Sequence, residues 1–352
     1  MALRLLVVED SPTARRLLVV LLNADPDLEV VGEARDGVEA IEQCKKLRPD
    51  LVTMDIQMPN MDGVEATRRI MVESATPVVM VSSLDPSDVR NSIHALDAGA
   101  LAVLAKPAGP GTPRHDRDAR ELIATIKAMA HVKLVRRWPA VPPYRTALPA
   151  KPARLDAREI AVVGLVASTG GPNALRSVLA GLPAEFAPPV LIVQHIASGF
   201  AKGFAEWLAT TTNRPVRLAV DGETPSAGMT YIAPDDRHLE VARDRLIVTA
   251  TPPFEGFRPS GSRLFSSLAA TFGPRAIGVI MTGMGHDGVA GLLEMRDAGG
   301  VVMAQDQASC DIFGMPAAAV AAGAVALTTP LADIPARLVE LVAKEATKGR
   351  PA

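Results

Sequence analysis

Short apolar runs alternate with amphipathic stretches along most of this 352-residue chain. In the first third, residues 3–8, 29–34, 51–54, 77–82 and 102–104 read as strands, whereas 14–24, 38–47 and 88–98 carry helical spacing. This β-α-β-α order predicts a parallel sheet with helices on both faces, because parallel neighbours need crossover connections. A last helix is expected over 117–135, after which the pattern dissolves into a Pro- and Arg-rich stretch, "RRWPAVPPYRTALPAKPARLDAR". Such a composition argues against a packed element and reads as a linker.

Alternation resumes with strands at 159–166, 189–195, 276–281, 301–305 and 325–327, and helices at 174–182, 201–211, 288–298 and 316–322. The segment 216–249 is β-rich, with turn signals at Asp221-Gly222 and Pro234-Asp235, and predicts a hairpin insert. The expected architecture is thus α/β throughout: two doubly wound parallel-sheet domains, flavodoxin-like over 1–130 and Rossmann-like with the insert over 158–352, joined by a linker at 131–157.

Composition narrows the class. Hydrophobic residues make up 48% and charged residues 22%, a globular balance, and the formal net charge of −2 gives no electrostatic ground for nucleic acid or an anionic membrane as partner. Two cysteines, Cys44 and Cys310, cannot build a disulfide framework and lack metal-type spacing, so buried thiols are expected. Neither a signal-peptide pattern nor an apolar run of membrane-spanning length is evident, so the expectation is a cytoplasmic protein without direct membrane insertion.

Candidate chemistry sits at the carboxyl ends of the expected strands, where parallel α/β sheets bind ligands. In the first domain Glu9 and Asp10 follow strand one, Asp55 strand three, Ser82 ends strand four and Lys106 follows strand five. Three converging carboxylates repel one another, and a hard divalent cation such as Mg2+ relieves that repulsion. A carboxylate beside the cation can attack a phosphoryl group, with the Ser82 hydroxyl and Lys106 ammonium contacting the transferred oxygens. Taken singly, Asp10 and Asp55 could merely cap a helix or loop and Lys106 could be a surface lysine. The segments "LLVVEDSPTARRLL", "PDLVTMDIQMPNMDGVEATRRIM", "PVVMVSS" and "AKP" together resemble a response-regulator receiver domain. That resemblance implies phosphorylation of Asp55 by a histidine kinase, with Mg2+ held by Glu9, Asp10 and Asp55. Glu9 stands where the family more often has Asp, and Val103 where an aromatic switch residue is common.

In the second domain Ser168 in "VASTGGPNAL", His195 in "VLIVQHIASGF" and Asp287 in "GVIMTGMGHDGVAGL" occupy three separate strand-end segments. A serine hydroxyl needs an imidazole to take its proton, and the imidazole needs a carboxylate to fix its tautomer. The glycine turn after Ser168 fits neither the dinucleotide fingerprint nor the P-loop, and meets the G-x-S-x-G elbow only at Gly170. On this segment alone Ser168 could instead simply cap the helix that starts near Pro172, the less favoured of the two readings. His286, next to Asp287, competes with His195 as base, but neighbours on a tight turn usually point apart. His94, His115, His131 and His238 read as solvated or structural.

"ASTGGPNAL", "VQHIASGFAKGFAEWL" and "MTGMGHDGVAGLLEMRDAGG" with "CDIFGMPAAA" resemble the catalytic domain of chemotaxis protein-glutamate methylesterases, the CheB family, over about 158–345. The resemblance implies a Ser168, His195 and Asp287 triad that needs no cofactor, with Thr169 as polar helper and Met284 as backbone donor. It implies phosphorylation-regulated hydrolysis of glutamate γ-methyl esters, and deamidation of glutamines, on methylated chemoreceptors, under the histidine kinase of a chemosensory pathway. Val166 replaces the family's small residue before "AST", and "HIASGFAKGF" its usual "HMPxxFTxxF". The rival readings are a phosphorylation-controlled, non-catalytic adaptor and a receiver fused to a DNA-binding output. The second lacks a basic recognition helix.

Overall fold

The computed structural model describes residues 2–83, 95–130, 160–212, 214–325 and 328–346. The first domain is a five-stranded parallel sheet, order β2-β1-β3-β4-β5, built from β1 (Leu3–Val8), β2 (Leu28–Ala34), β3 (Leu51–Met54), β4 (Val78–Ser82) and β5 (Ala102–Ala105). Helices α1 (Pro12–Asn23), α2 (Gly37–Leu47) and α3 (Gly63–Glu73) start on side-chain caps, Ser11, Asp36 and Asp62, each accepting from a first-turn N–H. Helix α4 (His115–Met129) follows β5. Most of the helix expected at 88–98 lies outside the described residues, although 95–97 are helical; the linker 131–157 also lies outside them.

The second domain centres on a seven-stranded parallel sheet, order β14-β13-β12-β6-β7-β9-β8. Its central strands are β6 (Val162–Ala167), β7 (Val190–Gln194), β12 (Ala276–Ile280) and β13 (Val301–Gln305). All but two of their residues are buried, the signature of a sheet covered on both faces. Helices α5 (Gly171–Gly181), α6 (Ala201–Thr212), α8 (Val289–Asp297) and α9 (Met315–Ala321) take up the expected positions within a few residues.

The expected hairpin is present, and the structure adds to the reading at three places. The insert is more than a hairpin: β8 (Val216–Leu218) and β9 (Thr230–Ile232) extend the main sheet in parallel, and only β10 (His238–Ala242) with β11 (Arg245–Thr249) forms the antiparallel pair. Apolar alternation reports a strand but not the partner it pairs with, so this distinction was hidden. Of the edge strand expected at 325–327, residues 326 and 327 lie outside the described residues and Val325 is in no strand; the described edge strand is β14 (Thr328–Thr329). Register with Ala304 and Gln305 of β13 places it, rather than its own hydrophobicity. Two helices escaped notice, α7 (Gly261–Phe272) and α10 (Ile334–Ala346).

Helix α7 positions the site. Gly164 of β6 and Gly278 of β12 pair in register, and a Cβ on either would come within 3.2 Å of the Phe265 ring. The two bare positions make a seat that draws α7 onto the sheet and fixes its N-terminus beside the strand ends. Among the described residues, no helix is long and apolar enough to cross a membrane.

Candidate active site

Ser168 follows the last residue of β6, and its backbone is held from both sides. Its N–H donates to Thr282 O at 3.0 Å, and Gln194 Nε2 donates to its carbonyl at 2.8 Å. The chain then reverses through Gly170, whose φ of +77° is costly for any residue with a Cβ. Side chains are also excluded by crowding: a Cβ on Gly170 would lie 2.5 Å from Asp311 Oδ2, and one on Gly171 2.1 Å from Gln194 Oε1. The sharp turn leaves the Ser168 side chain in a cleft at the N-terminus of α5.

His195 follows β7 on the neighbouring strand, and its Nε2 lies 2.8 Å from Asp287 Oδ2. Asp287 is fully buried on the loop between β12 and α8, and four donors converge on it. Besides His195, they are Ser260 Oγ (2.7 Å), Gly261 N (2.5 Å) and Ser262 N (3.1 Å), all at the N-terminus of α7. Burial alone would raise its pKa, but the hydrogen bond and charge of His195, with those from Gly261 and Ser260, outweigh it and hold the carboxyl below the usual range. The helix N-terminus adds a favourable dipole. His195 Nδ1, by contrast, is buried with no hydrogen-bond partner, and so no hydrogen bond joins it to the Ser168 hydroxyl. The imidazole stacks on Phe257, with centroids 4.8 Å apart and planes inclined by 22°.

The competing histidine, His286, points away: its side chain is 62% exposed and sits 3.7 Å from Glu255. His115 bonds Ala108 O, while His94 and His131 lie outside the described residues. His238 stands on strand β10 and is fully buried. Sequence reasoning missed Phe257, Ser260 and Gly261. Ser260 could have been found as the cap of the overlooked helix α7; Phe257, in an irregular loop, left no signal. Val166, flagged as unusual, is fully buried, and a Cβ on Gly261 would come 2.4 Å from its Cγ1. It therefore packs against the backbone that grips Asp287.

Ser168, Thr169, His195, Phe257 and Met284 share a cavity of about 350 Å³ whose opposite wall comes from the first domain, with Leu96, Val103 and Arg117. Asp97, next to Leu96 of that wall in the chain, accepts from Arg176 at 2.5 Å and from the buried Trp207 indole N–H at 2.9 Å.

The first domain brings its expected residues together as well. Carboxylate oxygens of Glu9, Asp10 and Asp55 lie within 4.8 Å of one another. Lys106 Nζ bridges Glu9 (2.8 Å) and Asp55 (2.9 Å). Burial, with the Asp55 charge, pushes Glu9 up to about 7 against the pull of Lys106; burial also raises Asp55. Ser82 Oγ is buried and unpartnered. All-oxygen, mutually repelling donors fit a hard divalent cation of the Mg2+ type.

Fold and sites together define a class: a phosphoacceptor-type receiver set against an α/β domain with a serine–histidine–aspartate cleft. A family model described as CheB methylesterase matches residues 163–338, and one described as response regulator receiver domain matches residues 5–114. A protein-glutamate methylesterase/protein-glutamine glutaminase of Myxococcus xanthus is 54% identical over 96% of this chain and 96% of its own. One from Anaeromyxobacter dehalogenans is also 54% identical, over 91% of this chain and 94% of its own. The crystallised catalytic domain of Thermotoga maritima CheB methylesterase superposes with a TM-score of 0.50 at 34% identity, covering 51% of this chain and 98% of that one. The chain belongs to the CheB methylesterase family and carries the receiver domain at its N-terminus.

Proposed function

We propose that this protein hydrolyses glutamate γ-methyl esters on chemoreceptor cytoplasmic helices, and deamidates glutamines there, through Ser168, His195 and Asp287. The observation that carries this reading is the 2.8 Å bond to a buried, donor-saturated Asp287 from His195, which lines the same cavity as Ser168. With the Nε2 proton committed to Asp287, Nδ1 keeps its lone pair and is the nitrogen that accepts the Ser168 proton. The two imidazole nitrogens thus exchange the roles they have in chymotrypsin-like proteases.

Ser168 Oγ attacks the ester carbonyl, and the carbonyl π electrons move to oxygen. Backbone N–H groups beside Thr169 and Met284 stabilise that oxyanion. His195 then returns its proton to the leaving methoxide, methanol departs, and water attacks the acyl-serine by the same route. A glutamine side chain follows the same steps with ammonia leaving. Because the buried carboxylate is ionised before reaction, the imidazolium forms next to a charge already in place.

Control passes through the first domain. Asp55 receives a phosphoryl group from the histidine kinase of a chemosensory pathway, while Ser82 and Lys106 bind its oxygens. Glu9, Asp10 and Asp55 would hold Mg2+, which when bound would neutralise charge during that transfer. The receiver wall across the cavity obstructs the receptor helix until phosphorylation shifts it. Ser168→Ala should lower methanol release from methylated receptor fragments by about 10⁴–10⁶-fold. Near wild-type release by the folded variant would refute the nucleophile.

A further inference from the structure

His238 is fully buried and takes no part in the reaction just described, yet one imidazole closes a loop around the catalytic groups. Ser260 N–H donates to His238 Nδ1 at 3.2 Å. A backbone amide can only donate, so Nδ1 carries the lone pair and the ring proton is on Nε2. That proton is donated to Pro252 O at 3.1 Å. Both ends of the segment 252–260 are therefore fastened to the two nitrogens of a single neutral ring.

The segment so fastened touches both the acid and the base. Its middle carries Phe257, stacked on His195. Its last residue, Ser260, donates Oγ to Asp287 Oδ1, and the next two residues donate their N–H groups to the same carboxylate. A displacement of Ser260 would move the Asp287 clamp and the Phe257 platform together. We infer that neutral His238 is a positioning residue for the esterase, and that its protonation unfastens the 252–260 strap from the triad. The inference rests on the triad reading above and adds a pH-sensitive support to it.

The charges facing His238 come from three elements: Glu240 on its own strand, Arg258 on the strap and Arg263 on α7. Glu240 is engaged by Arg263 at 2.8 Å. Burial foremost, and the two arginines, hold His238 below the ordinary histidine value of 6.5, so the ring is neutral at pH 7. Protonation at Nδ1 would set two N–H donors against each other at Ser260, removing the acceptor on which the strap hangs.

The test uses the full-length chain, activated by a small phosphodonor with Mg2+, and methanol release from methylated receptor fragments. In His238→Asn the amide oxygen can take the place of Nδ1 as acceptor without titrating. In His238→Gln the amide nitrogen replaces Nε2, and Ser260 N–H loses its acceptor. The glutamine variant should lose about 10²-fold in kcat with KM nearly unchanged, the size expected when reacting groups shift by roughly 1 Å. The asparagine variant should lose only about threefold, and its rate relative to wild type should rise as the pH is lowered below about 6.5. Equal losses in the two variants, a loss confined to KM, or a pH-independent ratio would overturn the inference. Should the glutamine variant not fold, imidazole ¹⁵N NMR of the wild type decides: the Nε2–H tautomer at pH 7 supports the strap, and the Nδ1–H tautomer or a charged ring overturns it. Ser168→Ala separates the two layers. An active Ser168→Ala protein removes the triad itself, whereas an inactive one beside indifferent His238 variants removes only the strap.

Discussion

Asp55 and Asp287 are both buried carboxylates at the carboxyl edge of a parallel sheet, and their surroundings push them in opposite directions. Asp287 receives three donors from the start of α7 and one from His195, and is held below its ordinary pKa despite burial. Asp55 shares its crevice with Glu9 and Asp10 and is raised by burial, with Lys106 as its principal counterion. A saturated carboxylate is a permanent charge, suited to stabilising an imidazolium. A crowded one gains by binding a cation or by being esterified with phosphate, which suits a group meant to change state. On the proposed roles, the contrast would separate catalysis from switching at the level of hydrogen-bond count.

The sharpest way to break the contrast is to remove the permanent charge while keeping its shape. Asp287→Asn should reduce kcat for methanol release by about 10⁴-fold, because the neutral amide neither stabilises the imidazolium nor enforces the Nε2–H tautomer. Loss of only a few-fold, with folding verified by circular dichroism, would mean that the charge is ornamental. A gentler disturbance leaves Asp287 in place and moves its donors. Gly261→Ala puts a methyl 2.4 Å from Val166 Cγ1, so either Val166 or the α7 N-terminus must shift. Overpacking of this kind costs about 1–3 kcal/mol in stability. Displacing the amide that meets Asp287 Oδ2 should also lower kcat by roughly 10²-fold. Restoration of both stability and rate in the Val166→Ala, Gly261→Ala double variant would identify the clash as the cause.

Both carboxylates were legible in the sequence, for different reasons. The receiver centre is spelled by residues next to short, regular strands, so each strand end named its own side chain: Glu9, Asp10, Asp55, Ser82 and Lys106. The second centre could be read as far as its three protagonists. Of their support, Ser260 was readable only as a helix cap, and Phe257 not at all, because it lies in a loop whose ends are held by tertiary bonds from His238. The missed helix α7 has the same root. Its start is marked only by Ser260-Gly261-Ser262, and its place on the sheet by the paired Gly164 and Gly278, a relation between strands far apart in sequence. Likewise, β8 and β9 were recognisable as β-structure, but their parallel register with β7 depends on neighbours that local alternation does not encode.

On the switching side the expected effects are smaller, since coupling between sites usually amounts to about 5–150-fold. Asp55→Asn should abolish the rise in esterase rate caused by a small phosphodonor with Mg2+, a rise on the order of tenfold in the unaltered chain. An equal rise in the variant would place the phosphoacceptor elsewhere and dissolve the contrast with Asp287.

The smallest predicted effect concerns how the two carboxylate centres are joined. Asp97, in the first domain, accepts from Arg176 and from the indole N–H of Trp207, which is only 2% exposed. Arg176 also lies over the Trp207 ring at 5.4 Å, so the three groups form one contact between the domains. In Asp97→Ala the tryptophan N–H loses its acceptor while the domains stay together, but regains one from water when they part. Leaving such a donor unsatisfied costs about 1–3 kcal/mol, all of it charged to the closed arrangement. If the receiver obstructs the cavity, the open population grows and the unphosphorylated rate should rise at least about fivefold, with the phosphorylated rate changed little. A rise in both rates by the same factor would locate the effect in the catalytic cleft. An unchanged basal rate would show that Asp97 fastens domains whose apposition does not limit access to Ser168.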